Sequence, residues 1–158
     1  MRRMPMLLLL CLPLAGCSTP FERLWAGVAE CQFDGLSLDA DTLKPDHPDL
    51  AGFTPYKVNN GFAWYRTRTQ LGELPISGFL IPTSTFEVHA LFIDAPIANA
   101  RQLLLERYGD DFSDEARHQA GEAPLLLRDP NNPKRSILDC TRDDGSEEET
   151  PEAYEGEE

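Results

Sequence analysis

The sequence predicts an α+β domain in which an antiparallel sheet packs with one main helix, plus a short helix near the N-terminus. Three observations lead there. Strand-like alternation is concentrated between residues 62 and 93, a single long stretch of helical spacing follows over residues 97–108, and the regular strand–helix alternation of a doubly wound fold is absent. The 158 residues, 41% hydrophobic and 26% charged, match one modest globular domain rather than a disordered chain.

Taken in chain order, Phe21, Leu24, Trp25 and Val28 recur at helical spacing and predict one short amphipathic helix over Phe21 to Glu30. Gln32 to Leu38 is expected as a strand, and the Asp- and Pro-rich stretch Asp39 to Phe53 as a loop. From Phe62 to Thr69, Phe62, Trp64, Arg66 and Arg68 alternate with Ala63, Tyr65, Thr67 and Thr69. Gly72 marks a turn, Ile76 to Ile81 returns, and Thr85 to Ile93 makes a half-buried strand with Phe86, Val88, Ala90 and Phe92 on one side. Together these strands form a meander. Asp94 is expected as N-cap of the main helix, whose stripe is Ile97, Ala100, Leu103, Leu104 and Tyr108, with Gly109 as its stop. Leu125 to Arg128 and Ser136 to Cys140 flank the turn-rich Asp129 to Pro133 and predict a final hairpin.

The N-terminus reads as an address. Arg2 and Arg3 precede an apolar run from Met6 to Ala15 that is too short to span a bilayer, the layout of an export signal. Leu14-Ala15-Gly16-Cys17 then resembles the lipobox of bacterial lipoproteins. That resemblance covers the signal alone. It implies removal of residues 1–16, lipidation of Cys17 as the mature N-terminus, and residues 17–20 as a short tether to a periplasmic domain over 21–142. Ser18 in place of Asp implies delivery to the outer membrane, with the domain on its periplasmic face. Two or three acyl chains hold a protein firmly where one does not.

Processing leaves Cys31 and Cys140 as the remaining pair, and an oxidising compartment makes a disulfide their expected state. Two Cys without nearby His are too few for a metal site.

Charge is unevenly spread. The full chain carries a formal −13, and the segment after Arg142 holds nine acidic residues and no basic one, so residues 17–142 carry −6. The acidic segment 143–158 has too little apolar content to fold and is expected to be a disordered tail. Nucleic-acid binding is excluded as an expectation, because it needs a basic stripe that is not present.

Chemistry-bearing motifs are scarce. There is no Gly-rich phosphate loop, HExxH, CxxC or GxSxG, so no catalytic residue, metal ligand or cofactor is assigned. His47, His89 and His118 are read as surface or boundary residues, His89 lying opposite the apolar side of its strand. Asp39 and Asp41 begin an EF-hand-like spacing that Leu43 and Lys44 do not continue. The segment richest in recognition chemistry is Tyr56, Trp64, Tyr65, Arg66 and Arg68, the residue types that dominate interface hot spots. The expected function is a non-enzymatic protein-binding lipoprotein, either an envelope accessory factor or an immunity-like inhibitor. Its partner is expected to be another envelope protein, a basic one matching the acidic tail. The alternative is a carrier of a small ligand or lipid, which needs a concave apolar pocket.

Overall fold

A computed structural model describes residues 18–84 and 87–142; the expected signal segment 1–16, Cys17, Thr85, Phe86 and the acidic segment 143–158 lie outside the described residues. The expected α+β architecture is present, as one sheet of six strands with helices packed on it. The strands are β1 (Lys57–Asn59), β2 (Phe62–Leu71), β3 (Leu74–Pro82), β4 (Val88–Ile93), β5 (Leu125–Arg128) and β6 (Ser136–Thr141). Their spatial order is β1-β2-β3-β4-β6-β5, and every neighbouring pair is antiparallel. Strands β2, β3 and β4 make the expected meander, and β1 adds a fourth strand to it. The chain then leaves through α2 (Ile97–Tyr108) and α3 (Glu115–Gln119), lays β5 at the far edge, and returns β6 into the gap between β5 and β4.

Tight turns set the register. Gly72, with φ at +63°, and Glu73 close β2 onto β3 with Leu71 opposite Leu74. Asn60 and Gly61, with φ at +49° and +81°, close β1 onto β2 with Asn59 opposite Phe62. Both central residues at positive φ is the requirement of the type I′ hairpin, which Asn-Gly meets at least cost. Strand β1 is absent from the sequence expectation, although this dipeptide announces it.

The short N-terminal helix is confirmed but is shorter than its apolar spacing suggests. Helix α1 (Pro20–Leu24) ends four residues before Val28, which sits in a separate 3-10 turn, Val28–Glu30. The reason is local: Gly27 lies so close to the doubled-back chain that a Cβ would fall 1.8 Å from the Gln32 carbonyl oxygen, and Gln32 N–H donates to the Gly27 carbonyl at 2.9 Å. All four stripe residues are nevertheless buried. The expected strand over Gln32 to Leu38 does not form. That backbone is occupied otherwise, with the Leu36 carbonyl taken by His89 and Leu38 N–H donated to the Pro82 carbonyl, leaving one isolated bridge from Leu38 to Pro45. Within the Asp39 to Phe53 loop, Pro48–Gly52 winds into a 3-10 turn. Asp94 does not cap α2: its N–H is still bound to the Pro75 carbonyl at 2.8 Å at the end of the sheet, so the helix starts after Pro96. Gly109, at φ +74°, ends it as expected.

The core has two parts, one on each face of the sheet. The larger buries α1, α2 and the loop against Ala63, Tyr65, Phe79, Leu91, Ile93 and Leu138, with Phe79 touching the rings of Phe21, Trp25, Phe53 and Tyr65. The smaller gathers Phe62, Trp64, Leu80, Val88, Ala90, Phe92 and Ile137, all from strands. Strand β4 is therefore buried on both sides and is not the half-buried strand its alternation suggests. A disulfide joins Cys31 to Cys140, as expected, with 5.3 Å between their Cα atoms.

His89 shares the two-sided burial of β4. It is buried, not a surface or boundary residue, stacked beneath Phe33 with ring centroids 4.2 Å apart, and its Nε2 donates to the Leu36 carbonyl at 2.8 Å. Burial pushes its pKa down to about 4, with the Arg142 charge adding to the effect and the Leu36 hydrogen bond opposing it. The unfolded chain takes up this proton near pH 6.5 and the folded chain refuses it until about pH 4. Stability is thus full above pH 6.5 and falls by about 3 kcal/mol as the pH drops to 4. Urea unfolding across that range should show a shallower decline for His89→Asn than for the native chain; equal slopes would contradict this assignment.

Candidate functional site

A groove of about 1200 Å³, open along one side, runs where β2 bends. Its origin is a pair of irregularities at one level of the sheet. Arg66 faces Gly78 but Thr69 faces Ile76, so β2 carries an extra residue there; Gly78 faces Phe92 but Ile76 faces Ile93, so β3 carries one as well. Stacked bulges sharpen the local twist and re-aim side chains. Gly78 keeps the floor low, because a Cβ there would lie 2.4 Å from the Tyr65 carbonyl oxygen and 3.2 Å from the Phe92 ring.

The bend also leaves part of β2 without a strand neighbour on its outer side among the described residues. Pairing of β1 with β2 stops at Lys57 opposite Trp64, with one further bond from Tyr56 N–H to the Trp64 carbonyl at 2.9 Å. Among the described residues, no strand lies beside the outer edge of β2 from Tyr65 to Leu71. An open edge is a template for another extended chain, and charged side chains and bulges limit indiscriminate pairing with it.

Three guanidinium groups line the groove, those of Arg66, Arg68 and Arg135, against the carboxylates of Glu22 and Asp94. Arg66 lies over the Tyr56 ring at 4.2 Å and Arg135 over the Phe92 ring at 4.9 Å. Arg135 is also paired with Asp129, a buried carboxylate that accepts the N–H groups of Asn131 and Asn132 at 2.8 and 3.2 Å. Arg66 and Arg68 are exposed and have no ion-pair partner among the described residues. Glu22 is committed elsewhere: its carboxylate accepts the Thr19 N–H and hydroxyl, and these bonds hold its pKa below the usual carboxylate range. The groove is thus a cationic, aromatic feature in a domain of negative charge.

Of the five residues singled out from sequence, Tyr56, Tyr65, Arg66 and Arg68 line this groove. Tyr65 does so from the core side; its ring is stacked on Phe79 at 4.4 Å, and burial pushes its pKa up to about 12. Trp64 is not among the lining residues. It is buried in the smaller core cluster, with the Lys57 ammonium 4.8 Å over its ring. Sequence reasoning missed Arg135, which lies just before β6, Phe92, which arrives from β4, and Gly78, whose place in a strand interior was the available signal.

Among the described residues, no three His, Cys, Asp or Glu side chains are grouped to hold a metal ion, and no helix is long and apolar enough to cross a membrane. The Asp-rich loop spends its carboxylates locally: Asp39 accepts from Thr42, Asp46 from Ser37, and Asp49 pairs with Arg23. Comparison with protein families, curated proteins and solved structures gives no match for this chain.

Proposed function

We propose that this chain is a lipoprotein on the periplasmic face of the outer membrane, a non-enzymatic module that holds another envelope protein by an extended acidic segment laid along the groove. The outer edge of β2, without a strand partner from Tyr65 to Leu71 among the described residues, flanked by Arg66 and Arg68 and backed by Tyr56, supports this reading best. Added strands gain affinity from main-chain hydrogen bonds and selectivity from side chains alternating beside them, and Arg forks suit carboxylates. The acidic tail favours a basic surface elsewhere on the same partner, while the groove selects the opposite charge. A small-ligand carrier ranks second, because the space between the sheet and α2 is filled by Leu91, Ile93, Ala100 and Leu104.

The test compares the mature protein with Arg66→Glu/Arg68→Glu in binding an Asp/Glu-rich peptide that lacks Pro. Both arginines are exposed, so the thermal midpoint should stay within a degree or two while affinity falls about tenfold, roughly 1.4 kcal/mol. Undiminished binding by the double variant would remove the groove from the function.

A further inference from the structure

The groove and the start of the domain share an edge. Thr19 lines the groove together with Arg68 and Gln70, and Thr19 stands only two residues after Cys17. Two residues reach at most about 7 Å. Nor does the described chain offer slack beyond them. Thr19 is fixed by a reciprocal capping box, its N–H donating to Glu22 at 2.9 Å and its hydroxyl accepting the Glu22 N–H at 3.2 Å. Arg23 donates to the Ser18 carbonyl at 2.7 Å and forks onto Asp49 at 2.7 and 2.6 Å, while Phe21, Leu24 and Trp25 are buried in the main core.

We infer that the groove opens at the membrane surface and takes its acidic segment from a protein held in the same membrane. This rests on Cys17 as the lipidated residue and on the groove as the binding site. The lipid holds Cys17 at the headgroups, and a rigid α1 then holds the groove within about 10 Å of them. The other end of β2 lies eight residues away, about 27 Å along the strand, and faces the periplasm with the loop around Asp41. An acidic solute arriving from the periplasm meets the negative domain first. A segment tethered in the same membrane is already at the groove mouth, and confinement raises its effective concentration.

The experiment uses the full lipidated chain in phosphatidylcholine vesicles containing a headgroup-nitroxide lipid. Cys31 and Cys140 are joined, so a single new Cys carries a fluorophore at Gln70→Cys or at Asp41→Cys. Quenching should be several-fold stronger at position 70, and inserting twenty Gly/Ser residues between Cys17 and Ser18 should reduce it to the level at 41. Equal quenching at both sites in the native chain overturns the inference. A second arm offers one Asp/Glu-rich peptide, either acylated into the same vesicles or free at equal total concentration. At least tenfold greater occupancy by the acylated form is expected. Equal occupancy overturns the membrane-held partner, and loss of the advantage in phosphatidylglycerol vesicles would show that lipid phosphate fills the groove instead. If neither peptide binds, the site reading fails while the quenching result still reports the orientation.

Discussion

Replacing Cys31 and Cys140 together by Ser should lower stability by about 4 kcal/mol and the thermal midpoint by about 15 °C. The bridge joins residues 109 apart. In the chain-entropy model a loop of roughly 100 residues gives about 4.7 kcal/mol before any native strain, and each kcal/mol shifts the midpoint of a domain this size by several degrees. That loss is comparable with the whole net stability of many small domains. The bridge also determines what fails first. Cys31 sits at φ +49° just after the 3-10 turn that follows α1, and Cys140 lies on β6, in the middle of the β4–β6–β5 side of the sheet. Cutting the bond frees the N-terminal cap from the last strand, so amide exchange in Phe21–Gln32 should accelerate ahead of that in β2 and β3. Thermal melts of the native and double-Ser proteins, both in the absence of reductant, measure the effect. A midpoint shift under about 3 °C would show that the N-terminal cap is held by packing alone.

The parts of this fold that were legible in the sequence are those governed by local pattern. Gly72 and Gly109 announce a turn and a helix stop because positive φ is costly for other residues, and both serve in those places. The helix stripe of Ile97, Ala100, Leu103, Leu104 and Tyr108 does pack on the core. Where the reading failed, long-range contacts decided the outcome. Gln32 to Leu38 has strand composition, but its backbone groups are claimed by His89 and Pro82. Strict alternation in Phe62 to Thr69 places Arg68 on the side of Trp64, yet the extra residue between Arg66 and Thr69 breaks the period at the point where the groove forms. The β2 bulge carries no compositional mark, whereas Gly78 marks the one in β3. Trp64 is buried in the smaller core and Arg66 lines the groove, although one recognition cluster was expected to contain both. Arg135 could be found only from the pairing of β6 beside β4, which brings Ser136 opposite Ile93.

Phe79→Ala should cost about 3–5 kcal/mol, the range for truncating a fully buried aromatic side chain. No part of Phe79 is exposed, and its ring lies 5.8 Å from those of Phe21 and Trp25, 5.5 Å from Phe53 and 4.4 Å from Tyr65. The void would therefore open between the sheet and α1, with four aromatic neighbours too large and too mutually packed to collapse into it. Phe79→Leu retains most of the volume and should cost less than about 1.5 kcal/mol. The pair of variants separates stability from orientation. Phe21 and Trp25 belong to the segment that fixes Thr19, and Tyr65 belongs to the strand that carries Arg66 and Arg68. Loosening the contact between them should uncouple Thr19 from the groove before the sheet itself unfolds. In the vesicle measurement, Phe79→Ala held well below its own melting temperature should narrow the difference in quenching between positions 70 and 41, whereas Phe79→Leu should preserve it. If Phe79→Ala loses the expected stability yet keeps the full quenching difference, α1 is held in place by the Arg23–Asp49 pair and the Cys31–Cys140 bridge without help from the aromatic core.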